Sequence, residues 1–241
     1  MTETMRGTAV VTGGTKGLGG GVSLELARAG YEVLALYRRD AAAAGKLDES
    51  LSREGLRGRS LQYDVTEGVP DDEFWARTEI VEASSLVLVH NAVAAFSPKP
   101  FHLLAWDDFV RAHDVAVRGL WLCASGLLRP MLRMGGGTIV AVLTSGLGDA
   151  PPKGFADYLT AKAGQGALLR SLSAEYAGRG LRTLSVRPGF MNTSLTEGWH
   201  PALQAAMRKS VSITDPAAVA ARILALMDDA TLPAAGESYD V

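Results

Sequence analysis

Tyr158 and Lys162 stand four residues apart in YLTAK, with Ser145 thirteen residues upstream of the tyrosine. On a helix, positions i and i+4 project from one face, so this phenol and this ammonium would meet the same space. An ammonium beside a phenol favours the phenolate and draws the tyrosine pKa down towards neutrality. A phenol tuned in that way gives or takes a proton at a carbonyl or alcohol oxygen. Ser145 closes a strand-like run and is placed to hydrogen-bond the same oxygen. A second group lies near the start of the chain. Gly13, Gly17 and Gly19 fall in TGGTKGLG, between a β-branched run and an apolar-periodic stretch. Glycines there permit positive φ and let backbone come close to a ligand. A helix beginning near Gly17 would point its N–H groups and positive dipole end into the turn, which suits a pyrophosphate. The spacing TGxxxGxG differs from the GxGxxG of the most widespread dinucleotide fingerprint.

The elements that must carry these groups read as an alternation. Strand-like runs occur at 9–11, 32–36, 60–63, 86–89, 138–143, 183–186 and 237–241, and helix-like stretches at 17–29, 41–54, 71–83, 105–133, 156–178 and 214–228. The strand runs are almost continuously apolar, as expected when both faces of a parallel sheet are covered by helices. The predicted fold class is therefore α/β, a single-domain doubly wound parallel sheet of about seven strands, of Rossmann type. Asp215-Pro216 reads as an N-cap followed by proline at the first helical position. Ligands of such sheets bind beyond the carboxyl ends of the strands. The glycine turn, Asn91, Ser145 and Pro188-Gly189 all fall there.

Composition narrows the classes. A chain of 241 residues, 47% hydrophobic, buries one good core and is read as one domain over 1–241. A net charge of −2 without a basic run gives no footprint for nucleic acid or an anionic membrane. The single Cys123 excludes an internal disulfide and fits a reduced, cytoplasmic setting. No leader-like apolar segment precedes Thr8, and no continuous apolar run reaches the roughly 18 residues of a membrane span. No metal is expected.

Together these residues resemble the short-chain dehydrogenase/reductase family, across essentially the whole chain. TGGTKGLG at 12–19 resembles its cofactor turn, YDVT at 63–66 its adenine-contacting segment, HNAV at 90–93 its NAG element, and RPGFMNT at 187–193 its PG segment. Ser145, Tyr158 and Lys162 correspond in type and spacing to its catalytic serine, tyrosine and lysine. The resemblance implies cofactor contacts at Gly13, Thr15, Lys16, Gly17, Leu18 and Gly19, then at Asp64, Val65, Asn91 and Ala92, and finally at Pro188, Gly189 and Thr193, with Thr193 facing the nicotinamide carboxamide. It also implies that Lys162 holds the nicotinamide ribose. The pattern is most similar to 3-oxoacyl-(acyl carrier protein) reductases and secondary-metabolite ketoreductases. The expected activity is NADPH-dependent reduction of a ketone, a 3-oxoacyl thioester or polyketide-like carbonyl, to a secondary alcohol with Tyr158 as general acid.

The cofactor reading rests on charge. The second strand ends in VLALYRRD, so Tyr37 stands where NAD enzymes place the acid that accepts from the ribose 2′-hydroxyl, and Arg38 and Arg39 follow. Guanidinium groups bind a 2′-phosphate through forked hydrogen bonds, and Lys16 adds a positive charge. NADPH/NADP+ is expected; Asp40, three residues past the key position, is the objection.

Two departures from the family pattern matter. Ala116 stands where relatives carry an asparagine that helps hold a water behind the lysine; His113, one turn earlier, is either a substitute or a partly exposed histidine without a catalytic role. Val93 replaces the glycine of NAG. These leave open non-redox chemistry (isomerase, dehydratase or cyclase) or a non-catalytic, cofactor-binding partner subunit. The segment 190–212 corresponds to a mobile substrate lid, or to a surface helix packing Leu195, Trp199, Leu203 and Met207 on the core. With Phe96, Leu147, Phe155 and Met191 it predicts a hydrophobic substrate pocket. Arg179 and Arg133 correspond loosely to carrier-protein contacts. Small residues at Ala161, Ala163, Gly164, Gly166 and Ala167 allow either close helix packing within the chain or the homodimer or homotetramer interface of relatives. Expected partners are thus a small-molecule or carrier-bound substrate and further copies of the chain, with no nucleic acid and no membrane.

Overall fold

The structure is a computed structural model describing residues 5–68, 84–199, 201–210, 214–232 and 235–241. Seven strands follow the apolar runs: β1 (Gly7–Thr12), β2 (Tyr31–Tyr37), β3 (Gly58–Gln62), β4 (Leu86–His90), β5 (Gly137–Val142), β6 (Leu181–Arg187) and β7 (Ala235–Asp240). They form one parallel sheet in the order β3-β2-β1-β4-β5-β6-β7. Side chains alternate between its faces, as the pleat demands. Ala9, Val11, Val33, Ala35, Val87 and Val89 join one core with α1 (Gly17–Arg28), α2 (Ala41–Arg53) and the helix at Pro216–Asp228. Val10, Leu34, Leu36, Leu86 and Leu88 join a second core on the opposite face. The expected helix at 71–83 lies outside the described residues.

The second face is covered by α3 (Trp106–Arg133) and α4 (Ala156–Tyr176). α3 is not uniform: its middle, Asp114–Arg118, is π-helical, and Ala116 lies inside that turn. π turns of this kind concentrate at functional sites. Length and hydropathy alone would let α3 cross a bilayer, which the absence of a long continuous apolar run did not suggest; in this fold 44% of its most apolar window is buried. Leu120, Cys123, Leu127 and Met131 pack fully buried against the sheet.

The small residues of α4 serve packing within the chain. A Cβ on Gly164 would meet Val117 of the π turn at 3.1 Å, and one on Gly166 would meet Leu143 at 3.1 Å. Ala112, Ala116 and Ala161 form a small buried cluster of their own between α3 and α4. After β6 come α5 (Ser194–Glu197) and α6 (Pro201–Ser210), and Pro216–Asp228 is α7. Asp215 accepts from Ala217 N at 3.1 Å, so the Asp-Pro pair caps α7 as read.

Candidate active site

All strands run the same way, so their carboxyl ends share one edge of the sheet, and a cavity of about 390 Å³ opens there. Every cofactor candidate named above lines it, together with Tyr158 and Lys162. Gly13 and Gly17 take positive φ, 61° and 55°. Gly19 is required for a different reason: a Cβ there would stand 2.1 Å from Gly13 O and 2.5 Å from Asn91 Nδ2. Asn91 is what holds this turn. Its Nδ2 donates to Thr12 O at 3.2 Å and to Gly13 O at 3.1 Å.

Thr12 extends the same network inward. Its Oγ1 accepts from the backbone N–H groups of Asn91 and Ala92 at 3.1 and 3.0 Å. His90 Nε2 lies 3.1 Å from Val115 O, which can only accept, so that nitrogen carries the proton. Nδ1 must then accept from the Thr12 hydroxyl, 3.1 Å away. The imidazole is neutral: burial, helped by the charge of Lys162, pushes its pKa down to about 3. This clamp ties the end of β4 to the π turn of α3.

At the outer end of the cavity the charges are exposed. Lys16 Nζ pairs with Asp40 at 2.6 Å, while Asp40 also caps α2 by accepting from Ala43 N at 3.0 Å. The hydrogen bond from Lys16, then that from Ala43, hold the Asp40 carboxyl below its ordinary range. Asp40 therefore lies nearer the cofactor cations than its sequence position implied. Arg38 Nε stands 3.9 Å from Asp64, whose other oxygen accepts from Thr66.

The inner end is buried. Lys162, 2% exposed, donates to Val142 O at 2.5 Å and to Gln165 Oε1 at 3.0 Å. Its Nζ is 6.0 Å from the centre of the Tyr158 ring. Burial pulls the lysine pKa down to about 7 and pushes the Tyr158 phenol up to about 12, with a hydrogen bond from Thr144 acting to lower the latter. Desolvation thus opposes the expected drop of the tyrosine pKa, although Tyr158 is only half-buried and opens on the cavity, and the ammonium is turned to other acceptors.

Of the residues read as catalytic, Ser145 is the one not brought to the cavity. It is exposed, begins a 3₁₀ turn (Ser145–Leu147), and binds Pro188 O through its backbone N–H at 2.9 Å. The neighbouring Thr144 lines the cavity beside Tyr158 and caps that turn by accepting from Gly146 N at 3.2 Å. His113 does not line this cavity: its Nδ1 bonds Phe109 O at 2.9 Å within its own helix. Arg179 and Arg133 are exposed, the former over the ring of Tyr176.

The substrate side is aromatic. Phe96 stacks on Tyr158 with centroids 4.6 Å apart and an interplanar angle of 8°. Phe155 and Trp199 close edge-on around Phe96 at 5.4 Å each. Trp199, 4% exposed, donates Nε1–H to Phe96 O at 2.8 Å, anchoring the segment after β6 over the cluster. Met191 and Leu195 reach the cavity, whereas Leu147 packs on the core. Phe190 also meets Trp199, at 6.0 Å. Sequence reading missed Thr144 and Gln165. A polar residue at i+3 from Lys162, inside the apolar stripe of Ala161 and Leu169, was the available signal for the second.

A profile of the family described as short chain dehydrogenase matches residues 7–204. The chain belongs to that family. Among its relatives, the cis-4-hydroxycyclohexanecarboxylate dehydrogenase of Sinomonas cyclohexanicum is 32% identical over 225 residues, covering 92% of this chain and 89% of the relative. A 3-oxoacyl-(acyl carrier protein) reductase of Staphylococcus epidermidis is 28% identical over 211 residues, 87% of this chain and 85% of the relative. The fold is similar to that of acetoin dehydrogenase from Enterobacter cloacae, with TM-score 0.80, 24% identity and coverage of 99% and 95%. It is also similar to a short chain dehydrogenase from Burkholderia cenocepacia solved in complex with NADP, with TM-score 0.82, 24% identity and coverage of 98% and 96%. As a member of this family the protein is an oxidoreductase.

Proposed function

We propose that this short-chain dehydrogenase uses NADP(H) and reduces a ketone with no charge near its carbonyl to a secondary alcohol, with Tyr158 as the proton donor. The observation that carries the reading is the placement of Tyr158 and Lys162 at the buried end of a cavity whose other end is the glycine turn with Lys16, Arg38 and Arg39. The residues fit the cofactor: the turn has no room for a side chain at Gly19 and holds Gly13 at positive φ, as a phosphate cradle needs, and with Tyr37 at the end of β2 the nearby carboxylate of Asp40 is paired with Lys16 rather than turned to a 2′-phosphate. Gly13 to Gly19, with Asn91, Ala92, Pro188, Gly189 and Thr193, would hold it, and Asp64 and Val65 would border the adenine. When bound, it supplies the hydride.

Everything else falls to the chain. A phenol with a pKa near 12 is fully protonated at neutral pH, the state a general acid needs. The hydroxyl that orients and polarises the carbonyl comes from the Thr144–Ser145 pair; in the arrangement seen, Thr144 faces Tyr158. Lys162 has one N–H left beyond Val142 and Gln165 and lines the cavity, where that N–H would hold the nicotinamide ribose. Around the carbonyl the described lining is Val93, Ala95, Val115, Met191 and Leu195, and the charge beside them, on Lys162, is taken up by Val142, Gln165 and the cofactor ribose rather than left to pair with a substrate carboxylate. That favours an acyl thioester or a ring ketone. Of the segment read as a lid, 190–212, the stretch 190–199 is latched over the aromatic cluster by Trp199, while residues 200, 211 and 212 lie outside the described residues; the whole chain acts as one cofactor-binding unit. The exposed apolar residues Phe101, Leu103, Trp106, Val110 and Trp121, all on or beside α3, support self-association through that helix.

The test is NADPH oxidation with a 3-oxoacyl thioester and a cyclic ketone, beside NADH and a Tyr158→Phe variant. Turnover that requires NADPH and Tyr158 is expected. Product formed with no change in NADPH absorbance would replace the reading with non-redox chemistry at the same tyrosine.

A further inference from the structure

A buried ammonium must find acceptors or give up its proton. Lys162 has two, Val142 O and Gln165 Oε1. On its far side a void of about 10 Å³ separates it from Ala112, Ala116 and Ala161, and Tyr158 is the polar side chain that shares this lining. Gln165 is itself wholly buried, 0% exposed, on the stripe of α4 that faces the sheet. An amide there has two ways to point. Its Nε2 donates to His90 O at 3.3 Å, which can only accept, so the oxygen is compelled to face Lys162. His90 is in turn fixed by its ring bonds to Val115 O and Thr12. A continuous chain of hydrogen bonds therefore runs from the π turn of α3 through β4 to the lysine.

We propose that Gln165 is a positioning residue whose amide oxygen keeps the buried Lys162 ammonium protonated and aimed into the cavity. This deepens the reading of Lys162 given above and rests on it. Among the described residues, the titratable groups shown to interact with Lys162 are His90 on β4 and Tyr158 on its own helix. β5 meets it with a carbonyl and α3 with alanines. His90 is neutral and the Tyr158 phenol protonated at pH 7, so neither supplies a counter-charge. The amide of Gln165 thus carries a task that elsewhere falls to a carboxylate.

The sign follows directly. Burial already brings the Lys162 pKa down to about 7, so its charge is lost as pH rises through neutrality. Removing a hydrogen bond to a charged group shifts its pKa by about one to two units, here further downward. The experiment is a titration of NADPH affinity against pH by cofactor fluorescence, in the wild type, Gln165→Met and Lys162→Met, with thermal melts to establish folding. Wild-type affinity should weaken through the Lys162 titration, and Lys162→Met should lack that step. In Gln165→Met the step should move down by about one to two pH units. If the methionine variant does not fold, Gln165→Glu keeps the shape and an acceptor oxygen and should move the step up. A step at the wild-type pH, or a uniform loss of affinity with no shift, would overturn the assignment. Wild-type protein that does not bind NADPH defeats the cofactor reading and this proposal together; binding with an unshifted step defeats this proposal alone. Neither arm depends on turnover.

Discussion

At the glycine-turn end of the cavity Lys16, Arg38 and Arg39 stand exposed, and Lys16 and Arg38 lean on Asp40 and Asp64. At the other end Lys162 is 2% exposed and held by one carbonyl and one amide. The first set is redundant and screened by solvent and salt, so no single pair in it decides the affinity. The second has no spare partner, and desolvation alone moves its pKa to about 7. Recognition of a phosphate tolerates a plural, hydrated set of charges. Proton transfer demands a single, dry and exactingly held one.

The comparison is broken most directly at Tyr158. Tyr158→Phe should lower kcat for ketone reduction by about 10²- to 10⁴-fold while NADPH affinity by fluorescence stays within a few-fold. A loss of binding instead would mean that the buried end governs both functions. Next in size is the hydroxyl pair. Thr144→Ala should cost about 10²- to 10³-fold in kcat, as removal of one oriented donor does; Ser145→Ala should remain near wild type. The reverse ranking in steady-state kinetics would return the role to Ser145 and show that the turn at 145–147 rearranges on binding.

At the exposed end the effects should be smaller. Tyr37→Asp with Arg38→Ala should shift the ratio of kcat/KM for NADPH over NADH by about tenfold or more towards NADH, about 1.4 kcal/mol per factor of ten. An unchanged ratio would remove these residues from cofactor choice. Asp40→Asn should tighten NADPH binding only about two- to five-fold by releasing Lys16, and the gain should shrink as salt is raised. A gain that ignores ionic strength would show that the cap on α2, rather than the charge, was the controlling contact.

The two ends also differed in how far they could be read from residues alone. Apolar runs such as VLALY and LVLV located the strands, and a parallel sheet then obliges every strand end, with its glycine, asparagine or proline, to share one edge. Residue type at a strand end is enough to place a phosphate cradle. The inner end depends on facts that spacing does not encode. Thr144 and Ser145 are adjacent and chemically alike, and which one faces Tyr158 is decided by where β5 gives way to the 3₁₀ turn. The π turn at Asp114–Arg118 has no mark in DVAVR, yet it sets which face Ala116 presents to Lys162. The tyrosine pKa is hard to read for a similar reason: the i to i+4 rule brings two side chains to one face but is silent on burial and on competing acceptors such as Val142 O.

The order of the strands carries one more consequence, for how the protein comes into being. β1 pairs with β4 as well as β2, and the cavity is walled by residues from Gly13 to Leu195. Such pairings close long loops late, so a parallel sheet of this order folds slowly for its size. A chain emerging from the ribosome holds its glycine turn long before Pro188 and Gly189 exist to complete the pocket. Dinucleotide binding therefore requires the chain at least as far as Leu195. Ligand present at a hundred times its Kd adds about 2.7 kcal/mol to the stability of that finished state. Occupancy of the pocket and stability of the sheet are joined through the same strand ends.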